Sequence, residues 1–137
     1  PTLLMGSGNT RRNFMEKLNT IQKHNNLNTV YRDGEPGPGG AHHDYVVSFG
    51  SDLPESDGDG VRICFQCGPR KDPEARRGVC NADLLEIVRD QLRAFQSGAF
   101  ACRENACALT HIEEALMWLN RRAEDRAERN VLGTPEK

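Results

Sequence analysis

Apolar residues recur along this chain with two different periods, and the change of period marks a change of structure. From Arg103 to Arg129, Leu109, Ile112, Leu116 and Leu119 recur three or four apart, with Ala108, Ala115 and Ala123 alongside. Glu113, Glu114, Asn120 and Arg121 fall on other faces, so the stretch predicts one long amphipathic helix of ~39 Å. Upstream, Leu84, Leu85, Val88, Leu92 and Phe95 predict a second helix. Asn81 is its expected N-cap, Asp83 sits in its first turn, and Ser97-Gly98 stops it. The connection from Gly98 to Cys102 is short, so the two helices should form an antiparallel hairpin.

Earlier in the chain the period falls to two. Tyr45, Val47 and Phe49 share one face of a strand. Val61, Ile63, Phe65 and Cys67 alternate against Arg62, Cys64 and Gln66 in another. The two should pair antiparallel across the acidic turn region GSDLPESDGDG. Thr29 to Arg32 is a further short strand, followed by the Gly/Pro loop DGEPGPGGAHHD. A sheet this small needs a helix on its apolar face. Phe14, Leu18 and Ile21 are at helical spacing between Asn9 and His24, with Asn9 or Thr10 as a cap, and predict a short N-terminal helix. Residues 1–8 should be loose. The fold class is α+β: a small antiparallel sheet, then a C-terminal helical hairpin. The expected division is an N-terminal segment (1–28) and one domain (29–137). Within that domain the sheet occupies about 29–67, a basic loop 68–80 and the hairpin 81–129. The basic loop, GPRKDPEARRGV, carries Arg70, Lys71, Arg76 and Arg77.

The long helix's apolar stripe has polar ends. Continued from Leu119 it reaches Arg122 and Arg126; run back from Leu109 it reaches Asn105. Like charges four apart repel, so something should offset the two arginines. Glu124, Asp125 and Glu128 could do so in solvent. A bound anion could also, because paired guanidinium forks suit phosphate. Phe95 and Asn105 meet at the hairpin corner, but Asn105 and Arg126 lie ~31 Å apart along one helix. One small ligand cannot touch both within one chain. Two helices paired antiparallel about a twofold bring the corner of one chain to the arginines of the other. Each such site would hold an aromatic ring, an amide and guanidiniums. On pattern alone the plainer reading is favoured, with Phe95 as core and Asn105 as a first-turn polar residue.

Composition narrows the field. The chain has 137 residues, enough for one domain, and is 36% hydrophobic, so self-association is expected. Net charge is −2, from 18 basic and 20 acidic residues, which argues against a DNA- or RNA-polymer binder but not against a small anionic ligand. No apolar run is long enough to span a membrane, and the start lacks a signal peptide's apolar core, so a cytosolic location is expected. Five cysteines (Cys64, Cys67, Cys80, Cys102, Cys107) without a leader read as reduced thiols, best placed as small buried side chains.

Metal and catalysis find little purchase. Cys64-Phe-Gln-Cys67 has zinc-knuckle spacing, but Cys102 and Cys107 are wrongly spaced for a second pair. His42 and His43 sit in a loop that could reach. His111, with Glu114 three residues on, reads as helix-edge chemistry, and no nucleophile elbow, zincin or phosphate-loop motif occurs.

The runs FQCGPRK, RAFQSGAFACRENACAL, HIEEALMWLN, NRRAEDR and VLGTPEK carry a resemblance. They resemble the phage Thoeris anti-defence signal-sponge family, first type (the Tad family), over about residues 29–137 and most closely from Val61 onward. ALTHIEEALMWLN also resembles the related phage anti-CBASS sponges. The resemblance implies a non-enzymatic protein without a cofactor. Such a protein sequesters cyclic ADP-ribose isomers (glycocyclic ADP-ribose) in the infected bacterial host's cytoplasm and so blocks Thoeris defence. It implies a homo-oligomer, dimer or hexamer, hexamers having further pockets for cyclic di- or trinucleotides. The implied ligand-binding residues are Arg70, Phe95, Asn105, Arg122 and Arg126. Phe95 would stack on adenine, Asn105 would bond to the base or ribose, and the arginines would hold the pyrophosphate. Ala99 departs from the proline expected in the hairpin turn.

Overall fold

The computed structural model describes residues 14–22, 27–129 and 134. Contact density divides the chain into two compact units, Pro1–Cys67 and Gly68–Lys137. The class is α+β, with the sheet in the first unit and, among the described residues, both α-helices in the second.

Among its described residues the first unit holds four strands: β1 (Met15–Lys17), β2 (Thr29–Asp33), β3 (Asp44–Ser48) and β4 (Gly60–Cys64). Their order is β1-β2-β3-β4, each pair antiparallel, so the sheet is a meander. The three expected strands are present within a residue at their starts, and β4 ends at Cys64. Over residues 14–22 the expected N-terminal helix is corrected. Met15–Lys17 pairs with Tyr31, Arg32 and Asp33, and Leu18 N–H donates to the Val30 carbonyl at 2.9 Å. Edge pairing with β2 overrides the helical spacing of Phe14, Leu18 and Ile21. The flanks of that expectation, residues 9–13 and 23–24, lie outside the described residues, as do residues 1–8.

Register sets the faces, because directly opposed residues share one. Val30, Val47 and Val61 form one row, and Arg32, Tyr45 and Ile63 the next. Tyr45 meets Phe65 edge-on, ring centres 5.7 Å apart. The opposite face carries the most buried residues, Asp33, Val46 and Ser48. Here Arg62 donates to the Asp33 carboxylate at 2.6 Å, with Asp44 3.9 Å away. Burial works against the Arg62 charge, but the Asp33 hydrogen bond and the charges of Asp33 and Asp44 outweigh it, and the guanidinium sits above its ordinary range. Gly60 is required by close approach: a Cβ there would lie 2.6 Å from the Val47 carbonyl oxygen.

The second unit is a helical hairpin, α1 (Asn81–Gln96) and α2 (Arg103–Glu128), preceded by a turn-rich segment. The cap of α1 is Cys80, one residue before the expected Asn81, because the Asp83 carboxylate reaches back to the Cys80 N–H at 2.7 Å. Cys102 caps α2, its sulfur accepting from Asn105 N–H at 3.4 Å. The cysteines are therefore not all buried: Cys80, Cys102 and Cys107 are exposed, and Cys64 and Cys67 half-buried. The helices are antiparallel. Arg89 Nε donates to Glu113 at 2.8 Å, and that hydrogen bond holds Arg89 above its ordinary range. Near the other end, Leu84 and Leu85 face Ala115, Trp118 and Leu119 across a shallow apolar groove of about 520 Å3. At 26 residues against 16, α2 runs on past the start of α1 by ~15 Å.

Candidate functional site

The corner of the hairpin is tightly closed. Ser97 Oγ donates to the Ala94 carbonyl at 2.9 Å, and Ser97 N–H to the Arg93 carbonyl at 3.1 Å. Gly98 N–H donates to the Phe95 carbonyl at 3.2 Å, and Ala101 N–H to the Gly98 carbonyl at 3.3 Å. The Gln96 side chain, last in α1, accepts from Cys102 N–H at 3.0 Å and so satisfies a donor at the start of α2. Phe95 and Asn105 are brought to this corner, one in the last turn of α1 and the other in the first turn of α2. Phe95 is 36% exposed and stands nearly perpendicular to Phe100, ring centres 5.9 Å apart. Phe100 was not singled out from the sequence. The only signal was two phenylalanines five apart across a turn.

Arg122 and Arg126 lie on the overhanging part of α2, far from the corner. The seam of partly buried residues runs Asn105, Leu109, Ile112, Leu116, Leu119, Ala123, Arg126. Arg122 is therefore turned outward rather than on the seam, since a 3.6-residue period passes from Leu119 to Ala123. Arg126 is only 8% exposed and donates to the Thr134 carbonyl at 2.8 Å. Three neighbouring charges have other partners. Glu124 accepts from Asn120 at 3.2 Å, Asp125 pairs with Arg129 at 3.3 Å, and the Arg121 guanidinium lies 5.7 Å from the Trp118 ring centre. Among the described residues, Arg122 makes no hydrogen bond or ion pair. No hydrogen bond or ion pair joins Glu124, Asp125 or Glu128 to it. Arg70 is exposed, in a tight turn closed by Asp72 N–H on the Pro69 carbonyl at 3.0 Å.

The five residues therefore form two groups and an outlier: Phe95 with Asn105, Arg122 with Arg126, and Arg70 in its turn. His111 is exposed, 4.0 Å from Glu114. Among the described residues no three His, Cys, Asp or Glu side chains gather as a metal-binding set. None of the described helices is long and apolar enough to cross a membrane.

Residues 57–124, most of the hairpin unit and the strand before it, match the Acb2/Tad1 hairpin domain. That match identifies residues 57–124 as an Acb2/Tad1 hairpin domain. A curated relative, "Thoeris anti-defense 1" of Bacillus phage SBSphiJ7, is 51% identical over 75 residues. The match covers 55% of this chain and 52% of the relative, so the chain spans about half the length of the curated protein it matches. The Acb2/Tad1 match includes Arg70, Phe95, Asn105 and Arg122, and ends two residues before Arg126.

Proposed function

We propose that this chain is an anti-Thoeris protein of the phage-infected cell that binds and sequesters a cyclic ADP-ribose-type signal without cleaving it. The observation that carries the reading is Arg122, a cation without a partner among the described residues, one turn from the buried Arg126 on the overhang of α2. Two guanidiniums so placed offer several donors to a pyrophosphate. The base would stack on Phe95, and Asn105 would hydrogen-bond its edge or the ribose. Arg70 would add a further phosphate contact.

The ligand site would be shared between protomers. Phe95 and Asn105 are separated from the arginines by most of α2, ~31 Å, so no nucleotide of this size bridges them within one chain. An antiparallel pairing of two α2 helices creates two equivalent sites per dimer. The exposed Met117 and Trp118 supply apolar surface for it. Residues 29–137 would act as one sponge domain, and larger assemblies of dimers, up to hexamers, could take cyclic oligonucleotides as well. No cofactor, metal or membrane is required, and the site of action would be the host cytoplasm. Sequestration works by mass action. A nanomolar dissociation constant corresponds to ~12 kcal/mol, within reach of two arginine–phosphate forks and one buried adenine.

The test is to incubate the purified protein with a cyclic ADP-ribose isomer made by a TIR-domain enzyme, remove unbound material and heat-denature the protein. Intact ligand released in near-stoichiometric amount is expected. A cleaved product would make the protein an enzyme. No ligand would reduce the helix seam to an oligomer interface.

A further inference from the structure

Phe100 is 72% exposed, so folding gains little from burying it. Yet its place is closely determined. The turn that carries it is held by the Ser97, Gly98 and Ala101 backbone bonds and by the Gln96 bridge to Cys102. That turn sets the Phe100 ring against Phe95 at 78°, ring centres 5.9 Å apart, within the range in which edge-to-face aromatic pairs attract. Phe95 is in the final turn of α1 and partly exposed, a position where a side chain would otherwise sample several rotamers.

We propose that Phe100 is the positioning residue of the base pocket: it holds the Phe95 ring in one orientation before the ligand arrives. This rests on the sequestration reading above. A ring fixed beforehand spares the ordering cost that a free side chain incurs on binding, worth roughly two- to tenfold in affinity. Phe100 acts through Phe95 and so has no effect of its own where Phe95 is absent. Its high exposure also predicts that its removal leaves the fold intact.

A double-mutant cycle tests this. Binding of a TIR-derived cyclic ADP-ribose isomer is titrated calorimetrically to the wild type, Phe100→Leu, Phe100→Tyr, Phe95→Leu and the double Leu variant. Adenine H2 and H8 proton shifts are recorded for each complex. Phe100→Leu is expected to weaken binding roughly two- to tenfold and to change the ring-current shift of the bound adenine. Phe100→Tyr, which keeps the ring, should restore both. In the Phe95→Leu background, Phe100→Leu should cost nothing more. Equal losses in both backgrounds, unchanged affinity in Phe100→Leu, or failure of that variant to fold would each overturn the proposal. A wild type that binds nothing overturns the sequestration reading itself. That result appears in the first titration, separately from any variant.

Discussion

Arg62 on β4 reaches over the intervening strand β3 to hydrogen-bond Asp33 on β2, at 2.6 Å. Asp33 is 3% exposed, so this bond ties three strands together on the sheet's buried face. Arg62→Gln is expected to destabilise the fold by roughly 3 kcal/mol, because it leaves a buried carboxylate without its cation. The pH dependence follows from the raised Arg62 value. A cation whose folded value lies above its unfolded one contributes fully below the unfolded value. Its contribution is lost only as pH climbs through the folded one. Both lie in the strongly alkaline range, so the loss in Arg62→Gln should be the same at pH 6 and pH 9. Urea unfolding at the two pH values checks it.

Arg122 and Arg126 should separate in their effects. Each charge-assisted bond to phosphate is worth ~1.5–3 kcal/mol, so either alanine variant should weaken binding roughly ten- to a hundredfold. Arg122 is exposed, and Arg122→Ala should melt like the wild type. Arg126 is buried and bonded to Thr134, so Arg126→Ala should also lower the melting temperature. Calorimetric titration and thermal melts read both. Unchanged affinity in either variant would remove that arginine from the site.

Asn105→Trp places an indole in the first turn of α2, at the hairpin corner that also carries Phe95. It should block the ligand while the oligomer persists, as measured by titration and by sedimentation. Normal binding by this variant would count against a corner site.

Trp118→Glu puts a charge on the apolar groove between α1 and α2. The variant should sediment as a smaller species than the wild type and lose binding together with association. A monomer that still binds tightly would show that one chain holds a whole site.

The hairpin was legible in the sequence because its helical period runs long enough to be unambiguous. Strands β2 to β4 were legible from alternation. The first strand was not. Met15–Lys17 is three residues long, and Phe14, Leu18 and Ile21 imitate a helix around it; only pairing with β2 decides. The polar ends of the seam were read correctly at Asn105 and Arg126, but Arg122 fell one position off. A three-residue step and a four-residue step diverge by about 100° on a helix. The cysteine caps escaped notice because sulfur is a weak acceptor, and Asn81 is the better capping residue by type. The Arg126 bond to Thr134 has no sequence signal at all, since any residue offers a carbonyl.

If the ligand site is shared as proposed, the overhang of α2 makes the protein's capacity depend on its abundance. Under the proposed reading each chain carries two half-sites and no complete one. A dilute protomer would then bind nothing, and complete sites would accumulate as the square of chain concentration until pairing saturates. Early in expression most chains would be idle, and capacity would rise steeply thereafter. Covalently linking two chains should abolish that threshold and make the response linear from the first molecule.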